Sequence, residues 1–154
     1  MEKSILRKLK RSRGVEYDLE RFKKAQRQDY VTALSEIKNG RKKSHWIWYI
    51  FPQLKELGYS STAKYYGIES RGEAAAYIKD DLLRERLIEI SEALMSLESN
   101  NPSDVMGYPD DLKLRSCMTL FNIVAPEIDV FGMVLDKFYS GRKDDRTVEL
   151  LSKS

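Results

Sequence analysis

An all-α fold, a compact single-domain array of about six to eight helices, is predicted by three features of this sequence. Apolar residues recur at steps of three and four along several segments, which places them on one face of a helix. Residues that favour helix starts and ends, chiefly Asp, Ser, Gly and Pro, separate those segments. No segment alternates between polar and apolar residues for long enough to indicate a strand. At 154 residues, 42% of them hydrophobic, the chain can bury one core without a disulfide.

Two helices are predicted in the first third of the chain. The first runs from Asp18, as its N-cap, to about Lys38. The second is short and runs from Ser44, as its N-cap, through Phe51, because Pro52 stops it. The first helix has one largely apolar face. Its residues recur at steps of four, four, three and four, and one of them is polar: Phe22, Gln26, Tyr30, Ala33 and Ile37.

The middle of the chain carries clear helix-start signals. A short helical turn is predicted over residues 63–66. Ser70 and Glu73 have the spacing of a capping box, which predicts a helix over residues 71–78. Asp80 starts the next helix, whose apolar stripe recurs at steps of four, three, four and three: Leu83, Leu87, Ile90, Leu94 and Leu97.

The last third contains the helix that we expect to be central. Residues 98–109 form a polar link, and residues 110–124 are apolar around most of a helical circumference. Pro126 is predicted to be the first residue of another helix, which Gly141 ends. One of the aspartates at 144–145 caps a final short helix. The core side of the helix after Pro126 is predicted to consist of Val130, Met133, Val134 and Phe138.

Composition excludes several classes of protein. The single cysteine and single histidine exclude an internal disulfide and a multi-cysteine zinc site, so no metal site is expected. Residues 1–14 carry a charge of +5, and subtracting it from the whole chain's +3 leaves −2 for residues 15–154. We therefore expect a basic N-terminal arm in front of a mildly acidic domain. No apolar run approaches the ~20 residues that span a bilayer, so a soluble cytoplasmic protein without a membrane partner is expected.

Residues 40–54, GRKKSHWIWYIFPQL, are the most unusual segment. They contain both tryptophans and the only histidine, beside three consecutive cations. His45 is a candidate general acid or base, on the same helical flank as Trp48 and Tyr49. The cations before it could hold an anion near a helix N-terminus. A structural histidine and a core aromatic stripe are the alternative interpretation. The candidate ligand-binding residues in this segment are Arg41, Lys43, Ser44, Trp46, Trp48 and Tyr49.

A polar stripe on the central helix is the second unusual feature. Asp111 and Arg115 stand one helical turn apart on an otherwise apolar helix. Polar groups on such a helix need partners, which are either one another or a ligand. The alternative is an ordinary ion pair between these two residues, with Asp110 as the N-cap. The candidates are Asp111 for proton transfer and Asp110, Lys113, Arg115, Ser116 and Thr119 for ligand binding.

Five segments carry a resemblance to a known family. They are YDLERFKKAQ (17–26), GRKKSHWIWYIFPQL (40–54), YYGI (65–68), DDLKLRSCMTLF (110–121) and VLDKFYSGRKDDRTVELL (134–151). In this order they resemble the DUF1810 family of uncharacterised bacterial proteins over residues 17–151. The resemblance implies a mainly α-helical domain without an established activity. Some members carry a calpastatin label that nothing in this sequence supports.

Two functional hypotheses follow. In the first, a pocket between the His45 helix and the 110–124 helix, with Gln26 on its wall, binds a phosphate-bearing ligand of nucleotide or ADP-ribose type. His45 or Asp111 would transfer a proton, and hydrolysis is inferred only by loose analogy with the all-α NADAR proteins. In the second, the domain is a noncatalytic interaction module that binds an acidic partner or nucleic acid through residues 1–14 and an exposed aromatic patch. The sequence identifies no cofactor, and it predicts nucleic-acid contact only through the arm.

Overall fold

The computed structural model describes residues 16–153 and confirms the all-α prediction for that range. The described residues form nine α-helices, where six to eight were expected. The predicted basic arm at residues 1–14 lies outside this range. The helices are α1 (Glu20–Lys38), α2 (Ile47–Ile50), α3 (Ser61–Tyr66), α4 (Arg71–Lys79), α5 (Asp81–Met95), α6 (Pro102–Met106), α7 (Asp110–Val124), α8 (Val130–Tyr139) and α9 (Asp145–Ser152), with a 3₁₀ turn at Lys55–Leu57.

Helix α7 lies at the centre of the fold, as its sequence predicted. It contacts α2, α4, α6, α8 and α9. Its buried side chains include Leu114, Met118 and Phe121, which are fully inaccessible to solvent. The Phe121 ring packs against Tyr77 of α4 and Phe131 of α8, with centroid distances of 5.2 and 6.0 Å. A helix that is apolar on most sides is stable only where neighbours cover those sides, and α7 has such neighbours.

The faces predicted for α1 and α5 are the buried ones. All five residues of the predicted α1 face are buried, Gln26 included. On α5 the predicted stripe is buried from Leu83 to Leu94, and Leu97 packs at the edge of the core beyond the helix end. These two helices pack against each other. Local periodicity therefore identified the core side of both helices correctly.

Three predicted capping residues are confirmed. The side chain of Ser70 accepts a hydrogen bond from the Glu73 backbone N–H at 3.2 Å. Asp80 accepts from Leu83 N–H at 3.1 Å, and Asp144 accepts from Thr147 N–H at 3.0 Å. The reciprocal half of the capping box is absent from the described residues, because the Glu73 carboxylate binds the Glu69 N–H and the Arg21 guanidinium instead.

Three predicted helix starts are wrong. Asp18 does not cap α1, which begins at Glu20 with Leu19 at its N-cap position. Ser44 does not cap α2, which begins at Ile47, because the Ser44 hydroxyl donates to Glu36 of α1. Pro126 does not begin α8, because residues 126–127 form a turn and helical geometry resumes at Val130.

The buried face of α8 also differs from the predicted one. Met133 is 47% exposed, whereas Phe131 and Leu135 are buried together with Val130 and Val134. The periodicity is helical as predicted, but the packed face is rotated toward Phe131 and Leu135.

Helix α6 was not predicted, although its start signals are ordinary. Asn101 accepts a hydrogen bond from Ser103 N–H at 2.9 Å, and Pro102 occupies the first turn. The segment is polar and only five residues long, so its apolar periodicity is too short to see in the sequence. Val105 and Met106 are buried and anchor it beside α7.

Extended pairing within residues 16–153 is limited to one parallel bridge between Leu54 and Ile68. Lys55 N–H donates to the Ile68 carbonyl at 2.8 Å, and Ile68 N–H donates to the Gln53 carbonyl at 2.9 Å. The bridge fixes the segment that follows α2 against the segment that follows α3. In the same range no helix is long and apolar enough to cross a membrane.

Candidate ligand site

The segment that carries His45 is tied to α1 by one carboxylate. Glu36 accepts hydrogen bonds from Lys43 N–H at 2.8 Å, Ser44 N–H at 3.0 Å, the Ser44 hydroxyl at 2.6 Å and the Trp46 indole N–H at 2.9 Å. Burial opposes ionisation of this carboxyl, but these hydrogen bonds outweigh it and lower the pKa of Glu36 to about 2. The roles of Ser44 and Trp46 in this structure are therefore to hold the segment in place.

A buried ion pair joins the same segment to α7. Lys42 Nζ lies 2.8 Å from Asp110 Oδ2, with side-chain exposures of 6% and 17%. Lys113 Nζ lies 3.0 Å from Asp110 Oδ1 and 4.1 Å from the centre of a Trp48 ring. Burial opposes ionisation, but the hydrogen bonds from the two lysines hold the pKa of Asp110 below its usual range. Asp110 thus connects two lysines and does not act as the N-cap of α7, a position that Pro109 occupies.

A cleft of about 380 Å³ opens where these segments meet. Three predicted ligand-binding residues line it: Trp48, Lys113 and Ser116. The Ser116 hydroxyl donates to the Leu112 carbonyl at 3.1 Å. The remaining lining comes from Gln53, Leu57, Gly58, Tyr59, Ser60, Pro109, Leu112 and Asp144.

Gln53 and Tyr59 are two lining residues that the sequence analysis missed. Gln53 is only 7% exposed, and its side-chain amide makes no hydrogen bond within residues 16–153. Tyr59 is 91% exposed although it lies in the same cleft. Each had a weak signal, because Gln53 belongs to the GRKKSHWIWYIFPQL segment and Tyr59 is an aromatic residue in a loop between Gly58 and Ser60.

Gln26 lies elsewhere. Its side-chain NH₂ donates to the Tyr49 carbonyl at 2.8 Å and to the Tyr77 hydroxyl at 3.0 Å, and its oxygen accepts from Arg86 at 3.4 Å. These bonds join α1 to α2, α4 and α5. The residue is not part of the cleft lining, and its amide is fully used inside the protein.

The two candidate catalytic residues also lie outside the cleft lining. His45 is exposed in a bend two residues before α2. Asp111 is 8% exposed; its Oδ2 accepts from the Ser103 hydroxyl at 2.9 Å, and its Oδ1 makes no hydrogen bond in the described range. No hydrogen bond or ion pair joins His45 to Asp111 in that range.

The remaining candidates have structural contacts or are exposed. Arg115 donates to the carbonyls of Arg142 and Lys143, both at 2.9 Å, and forms no ion pair with Asp111 in residues 16–153. The Thr119 hydroxyl donates to the Arg115 carbonyl and accepts from Asp144 N–H at 2.9 Å. These bonds fix the start of α9, and hence Asp144, beside the cleft. Arg41 and Lys43 are exposed.

The cysteine and the possible metal ligands give little indication of a reaction. Cys117 is fully buried in α7, and burial raises the pKa of its thiol well above the usual value. No group of three His, Cys, Asp or Glu residues in the described part of the chain could hold a metal ion.

Comparison with known families resolves the classification. The family described as a protein of unknown function, DUF1810, matches residues 16–151. The chain belongs to the DUF1810 family. This DUF1810 protein is also similar to a solved structure, the crystal structure of the conserved hypothetical protein Rv1873 from Mycobacterium tuberculosis. The two are 43% identical with a TM-score of 0.86, over 88% of this chain and 97% of the other. No curated protein matches the DUF1810 chain.

Proposed function

We propose that this DUF1810 protein binds a small ligand with a planar ring and a phosphate group in the cleft between α2 and α7. A single observation carries the proposal. Gln53 lines the cleft, is only 7% exposed, and its side-chain amide forms no hydrogen bond within residues 16–153. The polar atoms of Gln53 are not among the fully buried side-chain atoms without a partner in that range, so the amide is accessible from the cleft. A ligand that supplies the missing hydrogen bonds accounts for an amide at this position.

The rest of the lining fits the same ligand class. Trp48 and the exposed Tyr59 offer aromatic surfaces to a ring. The Lys113 ammonium is the cation of the lining and can contact a phosphate. The Gln53 amide and the Asp144 carboxylate suit ribose hydroxyls. Nucleotides and ADP-ribose derivatives combine these groups.

Hydrolysis is a separate proposal that the cleft does not itself support, because neither His45 nor Asp111 lines it. It predicts that His45→Ala or Asp111→Asn abolishes turnover of a bound ligand while leaving its affinity unchanged. Equal turnover in wild type and in both variants would remove these two residues from any mechanism.

Replacing Gln53 by methionine is expected to separate binding from folding. The variant replaces an amide that forms no hydrogen bond within residues 16–153 by an apolar side chain of similar volume, so the free energy of unfolding should change by less than about 1 kcal/mol. Ligand affinity should fall at least about tenfold, because the amide's bonds to the ligand are removed. Urea denaturation would measure the first effect. A thermal-shift screen of nucleotides, ADP-ribose, NAD and sugar phosphates, followed by calorimetry, would measure the second.

Gln26→Met is the matched control for this experiment. The same substitution there removes three buried hydrogen bonds inside the protein, so it should destabilise by about 1–2 kcal/mol. Affinity should not change. If Gln53→Met destabilises to the same extent and no ligand distinguishes it from wild type, Gln53 is structural and the ligand proposal fails.

A further inference from the structure

A second cleft, of about 390 Å³, lies between α1 and the helices α2 and α3. It shares no lining residue with the ligand cleft. We call it the tyrosine groove. One wall is aromatic and the other is cationic: Tyr49, Tyr65 and Tyr66 face Arg21, Lys24, Arg27 and Gln28 of α1, with Ala25 and Asp29 completing the lining.

The aromatic wall consists of three adjacent rings, with Tyr66 tilted by 54° to Tyr49 and nearly perpendicular, at 85°, to Tyr65. Tyr66 is the middle ring, 4.9 Å from Tyr49 and 4.8 Å from Tyr65 between centroids. Tyr65 is 58% exposed at the outer end. The wall therefore presents aromatic rings to solvent, and unstacked bases stack on such rings.

The backbone that carries this wall is held in place. The Arg21 guanidinium donates to the Tyr65 carbonyl at 2.8 Å and to the Gly67 carbonyl at 3.1 Å. The same guanidinium is paired with the buried carboxylate of Glu73 at 3.1 Å. Because its main chain is fixed, the exposed Tyr65 can accept a stacking partner with little loss of conformational entropy.

Two cations of the cationic wall, Lys24 and Arg27, are scarcely used by the protein itself, whereas Arg21 is bound to Glu73. Arg21, Lys24 and Arg27 recur every three residues, so they lie along one side of α1. Lys24 is exposed and forms no ion pair within residues 16–153. Arg27 pairs only with Glu20, at 3.5 Å, and both side chains are more than two thirds exposed, so that pair is weak. The one acidic lining residue, Asp29, accepts a hydrogen bond from the Tyr49 hydroxyl.

We propose that the tyrosine groove binds single-stranded nucleic acid, with bases stacked on Tyr65 and Tyr66 and phosphates at Lys24 and Arg27. Duplex DNA hides its base faces, so an aromatic wall favours a single strand. The charge of the chain favours the same partner. The +5 segment, residues 1–14, precedes Glu16, which lines an adjoining cleft that shares Arg21 and Tyr65 with the groove. Sequence analysis expected nucleic-acid contact through that segment alone, whereas this proposal places it on the folded domain.

Fluorescence anisotropy with labelled oligo-dT and oligo-U of about twelve nucleotides tests the proposal on the full chain. Tyr65→Ala should weaken binding about tenfold, and Tyr65→Phe should not, because the ring does the stacking. Combined Lys24→Ala and Arg27→Ala substitutions should lower the slope of log affinity against log salt by about 1.4, which is about 0.7 for each phosphate that the variant no longer neutralises. The matched controls are Tyr108→Ala, an exposed tyrosine in neither cleft lining, and Lys38→Ala, another exposed cation of α1.

Three outcomes would overturn the proposal. Alanines at Lys8, Lys10, Arg11 and Arg13 could abolish binding while the groove variants bind normally, which would assign the strand to the N-terminal segment alone. A duplex of equal length could bind as tightly as the single strand, which would indicate charge without stacking. A free mononucleotide could displace the strand at similar concentration, which would make the groove a nucleotide site. None of the groove variants should alter ligand binding at Gln53, so failure here leaves the proposed function separately testable.

Discussion

Replacing Glu36 by glutamine is expected to lower the free energy of unfolding by about 2 kcal/mol at pH 7. The carboxylate accepts four hydrogen bonds that fix residues 43–46 to α1. A neutral amide has only one acceptor oxygen, and its NH₂ group would face donors. The lowering of the pKa from 4.5 to about 2 corresponds to about 3 kcal/mol, which we reduce because Glu36 is partly exposed.

The sign of the pH dependence follows from the same shift. The pKa of Glu36 is lower in the folded state than in the unfolded state, so its contribution is fully present above about pH 5 and is lost as pH falls toward 2. The difference between wild type and Glu36→Gln should therefore shrink over that interval. Urea denaturation at several pH values would measure it. Glu92→Gln, an exposed carboxylate on α5, is the control, and equal stability of both variants at pH 7 would contradict the assigned role.

Replacing Asp110 by asparagine is expected to have the larger effect, a loss of about 3 kcal/mol in the free energy of unfolding. The substitution leaves Lys42, which is 6% exposed, as a buried cation without its carboxylate. Removal of one partner of a buried pair is costly because the remaining charge stays desolvated. Chemical denaturation monitored by tryptophan fluorescence would report the loss, since Trp46 lies beside Lys42 and Trp48 lies beside Lys113.

A double-mutant cycle distinguishes loss of the pair from loss of the helix start. Lys42→Met combined with Asp110→Asn should regain a large part of the stability, because no buried charge is left unpaired. Asp81→Asn, which removes an 87% exposed carboxylate from a surface pair, should leave the denaturation midpoint nearly unchanged. Additive effects of the two single substitutions would show that Lys42 and Asp110 do not interact.

The two carboxylates also position the cleft between α2 and α7. Glu36 fixes the chain that leads into α2, and Asp110 holds that chain against α7 while placing Lys113 over Trp48. The sequence analysis proposed that these two segments meet, and it chose Lys113, Trp48 and Ser116 among its candidates. It did not single out Glu36 at all, because the partners of that carboxylate lie seven to ten residues further along the chain in a segment without regular structure.

Local signals were reliable wherever a helix is specified by its own residues. The extent of α7, the buried face of α1 and the caps at Asp80 and Asp144 depend on contacts within a few residues, so periodicity and cap chemistry were enough. The same signals failed at Asp18, because Leu19 is the N-cap of α1, and at Ser44, because a carboxylate from another helix competes for its hydroxyl.

The two buried glutamines show where sequence information ends. The sequence by itself determined that this is an all-α member of the DUF1810 family, and it placed Gln26 on a buried helix face. It could not determine that Gln26 is fully hydrogen-bonded while Gln53 is not, because the partners of the first come from residues 49, 77 and 86. The parallel bridge between Leu54 and Ile68 holds the main chain at Gln53 beside the cleft. Whether a buried amide is a structural group or a ligand contact is decided by which distant atoms packing brings within about 3 Å of it.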